Sequence, residues 1–140
     1  MASESRKFRM NLRAARLARA NLERANLSFA KASHVDFRFS NLKWAKLLNA
    51  ILDEANLKGS DLSFADLTGA SLINANLQNV NFANTELDGA DLRGADLRGA
   101  LNLSLEELRQ AFGDPSTKLP MGYETPDNWR EPVAEGGAAG

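Results

Sequence analysis

The chain has 140 residues, enough for one domain and too few for two comfortable ones. Of its 61 apolar residues, 22 are Ala and 21 are Leu, whereas Val and Ile together number five, which argues against a sandwich of β-branched strands. Seventeen Lys and Arg against 18 Asp and Glu exclude a polyanion or polycation taken as a whole, and the absence of cysteine excludes disulfide scaffolds, thiolate zinc sites and cysteine nucleophiles.

Residues 1–9 are polar and basic, with neither the apolar core of a signal peptide nor a clear cap. No apolar run reaches the roughly 18 residues of a membrane span. A cytoplasmic location is the default expectation.

Residues 10–101 carry a period of five. Leu or Phe recurs at every fifth residue from Leu12 to Leu97, with Ala32 alone breaking the series, and a small residue precedes each by two, Met10 being the one large exception. Asn or Asp is favoured immediately before the leucine. On an α-helix five residues advance about 500°, which would spiral the leucines around the whole surface. On a flat strand the odd period would alternate them between faces. A coil in which each five residues make one short side and one turn satisfies the quintet, with Leu and the small residue both inward. Four sides close a square, so residues n and n+20 stack. The core then consists of the inward leucines and alanines, with Phe37 beside the possible gap at Ala32.

The runs Ala20-Asn21-Leu22, Ala25-Asn26-Leu27, Ala65-Asp66-Leu67, Ala75-Asn76-Leu77, Ala90-Asp91-Leu92 and Ala95-Asp96-Leu97 resemble the pentapeptide-repeat proteins. That resemblance implies an all-β fold, a right-handed quadrilateral β-helix of about four to five coils, here about 22 Å tall at the spacing of stacked strands.

The corner position two after each Leu reads differently in the two halves. From Asn49 onward it is mostly Gly or Asn, which tolerate positive φ in a type II turn. Before that it is Ala14, Arg19, Arg24, Phe29, His34, Phe39 and Trp44, which do not favour positive φ. Type II corners are expected in the C-terminal half and more open corners in the N-terminal half.

Residues 102–129 form the C-terminal end. Ser104 to Phe112 reads as a short capping helix, with Ser104 as N-cap, Glu107 as its capping-box partner, Gly113 as the stop, and Leu105, Leu108 and Phe112 on the face that closes the last rung. Gly113 to Trp129 contains three prolines and resembles the tail that follows the repeats in bacterial members of the family, expected here as an extended cap pinned by Trp129. Residues 130–140 are Gly/Ala-rich and read as disordered.

Catalysis would need a convergent nucleophile, base and oxyanion donors, or a metal cluster. The one histidine, His34, falls at an outward corner, and the stacked carboxylates Asp61, Asp66 and Glu86 read as solvated repeat positions. An enzyme, a metal and a cofactor are therefore not expected. Charge is more informative: residues 1–50 hold 11 basic and 3 acidic side chains, a balance of +8, and residues 51–140 hold 6 and 15, a balance of −9. Arg13, Arg16, Arg19 and Arg24 form a basic collar around the first rung, whereas a nucleic-acid groove would want a line of charge.

Folded at twenty residues, the fourth side shows Leu48 outward, Arg24, Trp44 and Phe64 on one flanking corner and Phe29 on the other. Exposed aromatics beside Arg are types enriched in binding hot spots, although corner aromatics also stack merely to stabilise rungs. The leading expectation is a non-enzymatic protein-interaction or scaffold module with a protein partner. Alternatives are a DNA-mimicking topoisomerase binder of the quinolone-resistance type, which the basic collar argues against, and nucleic-acid or anionic-membrane attachment through the basic first rung. The chain is expected as a monomer, a weak head-to-tail assembly or a dimer through a capped end.

Overall fold

The computed structural model describes residues 9–130. The expectations of a polar segment over residues 1–9 and of disorder over 130–140 fall largely outside the described residues. Parallel bridges join Asn11 to Lys31, Arg16 to Asp36, Asn21 to Asn41 and Asn26 to Lys46, and continue at the same twenty-residue register to Asn81 and Leu101. The chain is thus a four-sided β-helical solenoid. Among the described residues each side is a single bridged position and no extended strand forms, because a five-residue period leaves room for only one residue between successive turns.

Each side makes the same bonds. Leu12 N–H donates up to Lys31 C=O at 2.7 Å, Ala14 N–H up to Ser33 C=O at 2.9 Å, and Lys31 N–H down to Met10 C=O at 2.8 Å, while Ala15 N–H closes the corner onto Leu12 C=O at 3.0 Å. The Asn or Asp before the leucine caps this corner. Asn11, Asn21, Asn26, Asp36, Asn41, Asn56, Asp61, Asp66, Asn76, Asn81, Asp91 and Asp96 each accept, through Oδ1, the N–H two residues on. This local bond is the physical reason for the sequence preference.

The corners are uniform, which corrects the expectation of open corners in the N-terminal half. Ala14, Arg19, Arg24, Phe29, His34, Phe39 and Trp44 all have φ between 56° and 66°, as do the Asn and Glu corners to within a few degrees. Only the third residue of each corner is positive, the type II pattern. The ladder imposes it: the N–H of Arg24 must reach Lys43 C=O at 2.8 Å just as that of Gly59 reaches Gln78 C=O at 2.9 Å. A side chain in this region costs about 1–2 kcal/mol, offset by the ladder bond and by stacking on the corner above.

The inward leucines of the repeat from Leu27 to Leu97, with Phe37 and Phe82, are buried along the axis with the small residues beside them. Ala32 is buried against the same core. Leu12, Leu17 and Leu22 are only partly buried.

The C-terminal end covers the top rung. Helix α1, Leu105–Gln110, has Ser104 as N-cap, its Oγ accepting from Glu107 N–H at 3.2 Å. The Glu107 side chain does not complete a capping box. Its Oε1 accepts from Leu87 N–H at 2.8 Å, taking the place of the carbonyl that a further rung would supply. The expected apolar face is also corrected: Leu108 is buried, but Leu105 and Phe112 are exposed, and Leu103 and Ala111 pack inward instead. Phe112 bridges Asp91, an outward ladder position, so its side chain is turned away from the core. The helix ends at Gln110 with Ala111 as C-cap, before Gly113. Lys118 bridges Asp96, and the tail ends in a 3-10 turn, Asp127–Trp129, with Trp129 buried.

Candidate interaction surface

The corner side chains lean onto the corner of the next rung, so each corner becomes a vertical stack. At the corner shared by the third and fourth sides the stack is Arg24, Trp44 and Phe64. The Arg24 guanidinium lies 5.2 Å from the Trp44 ring centre, and Trp44 and Phe64 are parallel to within 7° with centroids 4.5 Å apart. Both rings remain 44–45% exposed, showing their edges to solvent. Phe29, at the other corner of the fourth side, is 42% exposed, and Leu48 between them is half-buried.

Sequence reasoning missed a second stack at the neighbouring corner. The Arg19 guanidinium sits 4.9 Å from the centre of the Phe39 ring, itself 48% exposed. A Cβ on Gly59 would come within 2.5 Å of that ring, so glycine there is what admits it. The twenty-residue spacing of Arg19, Phe39 and Gly59 was the available signal.

The collar is accordingly divided in its roles. Arg19 and Arg24 cap aromatic stacks; Arg13 donates its backbone N–H to Asn11 Oδ1 at 3.1 Å; Arg16 occupies the ladder position below Asp36. Higher in the tower the arginines are neutralised locally. Arg93 and Arg98 make two-pronged contacts with Asp91 and Asp96, as Arg38 does with Asp36 in the second rung, each closing at 2.6–2.8 Å. Those hydrogen bonds hold the Asp36 carboxyl down at about 2 and push Asp91 and Asp96 down as well. In the first rung the same turn-capping bond is made by the neutral amides Asn11, Asn21 and Asn26. Asn and Asp serve the corner equally, so this choice sets surface charge without altering the fold.

His34 pairs with Glu54 at 3.2 Å on an exposed corner. Asp61 accepts from Ser63 Oγ at 2.5 Å and stands 3.9 Å from Lys43. The Glu86 carboxyl is pushed up by the neighbouring Asp66 charge, by burial and by Glu107 and Asp88. Among the described residues no group of three or more His, Cys, Asp or Glu is placed to hold a metal ion, and no helix is long and apolar enough to cross a membrane. An open cleft of about 680 Å³ lies between α1 and the tail, where Arg109 and Arg130 each sit beside a carboxylate of their own turn, Glu106 at 3.8 Å and Asp127 at 3.7 Å.

These features define a repeat solenoid with aromatic corner stacks. The profile of the family Pentapeptide repeats matches residues 11–43, 36–72 and 65–101, and the chain belongs to that family. Among solved structures it is similar to Rfr23, a pentapeptide repeat protein from the cyanobacterium Cyanothece 51142, at 31% identity over 79% of this chain and 88% of that one, with a TM-score of 0.72. It shares its fold with QnrB1, a plasmid-mediated fluoroquinolone resistance protein, at 19% identity over 86% of this chain and 63% of that one, with a TM-score of 0.62. Comparison with curated proteins gives no match.

Proposed function

We propose that this chain is a non-enzymatic protein-interaction module whose contact surface centres on Arg24, Phe29, Trp44, Leu48 and Phe64. The observation that carries the reading is the Arg24–Trp44–Phe64 stack, a large apolar edge held rigid and half-exposed on a flat wall. Rigid aromatic and arginine side chains lose little entropy on docking and recur as binding anchors. No cofactor enters this reading.

Affinity capture comparing the wild-type chain with Trp44→Ala plus Phe64→Ala tests it. Loss of a specific partner from the variant, with the melting transition retained, supports the reading. An unchanged set of captured proteins overturns it.

Attachment to nucleic acid through the first rung is less well supported, because both faces of Trp44 are already covered, by Arg24 and Phe64, and are closed to a stacking base. A DNA-mimicking role is disfavoured by residues 10–49, which carry eight cations against two carboxylates. Supercoiling by gyrase is expected to be unaffected by the protein, with or without a fluoroquinolone.

A further inference from the structure

The fourth side is electrically divided along its height. Its outward ladder column runs Asn26, Lys46, Asp66, Glu86, and the next column runs Ser28, Leu48, Thr68, Asp88. The lower half therefore presents Lys46, with Arg24 and Trp44 on one corner and Phe29 on the other. The upper half presents Asp66, Glu86 and Asp88, with Glu107 above them. Neither Arg24 nor Lys46 forms a salt bridge to a carboxylate among the described residues, and none of the four acids forms one to a cation. Lys46 stands one rung below Asp66 without closing an ion pair. The charge of the neighbouring Asp66 first, then burial, then Glu107 and Asp88, push the Glu86 carboxyl up. Two uncompensated charge sets of opposite sign thus share one flat wall with an exposed aromatic stack near its mid-height.

We infer that the fourth side is a self-association surface, on which a second copy of this chain packs face to face and upside down. The inference rests on the reading of this wall as an interface and names its occupant. A two-fold axis parallel to the rungs, midway between those of Lys46 and Asp66, sets each Lys46 opposite the partner's Asp66 and each Asn26 amide opposite the partner's Glu86. The same axis lays the Trp44–Phe64 stack alongside its own copy in reverse order, and every contact occurs twice. A vertical axis would keep heights unchanged, setting basic lower half against basic lower half and acidic upper half against acidic upper half, and like charges reject it. The wall is about four rungs high, roughly 20 Å at the stacking distance, so the interface belongs to the small class and the dimer is weak.

Sedimentation equilibrium of the full chain, from about 10 μM to about 1 mM at low and high salt, tests this on a scale suited to weak complexes. The expected result is a monomer–dimer equilibrium that stops at two and weakens with salt. Lys46→Glu, and separately Trp44→Ala, should raise the dissociation constant at least about tenfold, while Lys58→Glu on another wall leaves it unchanged. Lys46→Glu combined with Asp66→Lys should restore dimerisation, because each new glutamate then faces a new lysine. Thermal melts verify that each variant is folded. A chain that stays monomeric at every concentration, one that grows beyond dimers, or a dimer indifferent to Lys46→Glu overturns the inference. If it stays monomeric while Trp44→Ala plus Phe64→Ala still abolishes capture of a specific protein, the interface reading survives and self-association alone fails.

Discussion

The indole Nε1–H of Trp129 donates to the backbone carbonyl of Ala111 at 3.0 Å, tying the last described turn to the end of α1. Gly113 lies under the same indole, so closely that a Cβ would stand 2.4 Å from the ring. Gly113→Ala should lift Trp129 off the top rung. The readout is fluorescence in a Trp44→Phe background, where a red shift and greater quencher access are expected; an unshifted spectrum would reject the role assigned to Gly113.

Glu107 closes a backbone donor that the solenoid leaves open. With no further rung above it among the described residues, Leu87 N–H bonds the Glu107 carboxylate, at 2.8 Å. Glu107→Ala should cost about 1–3 kcal/mol, as for a donor stranded without its acceptor. Glu107→Gln keeps an oxygen there and should cost markedly less. Equal losses in chemical denaturation would contradict this account.

Ser60 carries the opposite defect. Its buried hydroxyl has no hydrogen-bond partner among the described residues, whereas Ser40, one rung below, donates to Phe37 C=O at 2.7 Å. Ser60→Ala should raise stability by up to about 1 kcal/mol and Ser40→Ala should lower it by a similar amount. The two melting curves, compared directly, decide the matter.

Asp36 titrates far below its ordinary value because Arg38 hydrogen-bonds its carboxylate through Nε at 2.9 Å and Nη2 at 2.8 Å. A depressed folded-state pKa contributes stability above the unfolded value, 3.8, and loses it as pH falls toward about 2. Arg38→Gln should return the carboxyl toward its ordinary range by NMR titration and flatten the stability profile between pH 4 and 2. An Asp36 midpoint unmoved by the substitution would show that Arg38 is not the cause.

The inward series was legible because a five-residue period states directly which side chains meet at the axis; Leu62, Ala65 and Leu67 are buried as the spacing requires. The aromatic stack at Arg24, Trp44 and Phe64 was legible for the same reason, since columns follow from counting in twenties. The cap was not. Leu105 and Phe112 have the spacing of a buried helical face, yet Phe112 is held outward by its bridge to Asp91, a register fixed only when the chain returns over the last rung.

From sequence alone came the four-sided coil, its core and its division into a basic and an acidic half, all of which depend on residue identity at fixed intervals. Tertiary structure alone decided the corners and the use of the charges. Ladder hydrogen bonds between rungs force Arg24, Phe29 and Trp44 into a backbone region their side chains disfavour. Short-range ion pairing then divides the cations, silencing Arg38, Arg93 and Arg98 beside their aspartates while Arg19 and Arg24 lie over aromatic rings. The near-neutral sum of the composition thus conceals a surface whose unneutralised charge is a matter of which neighbours each rung supplies.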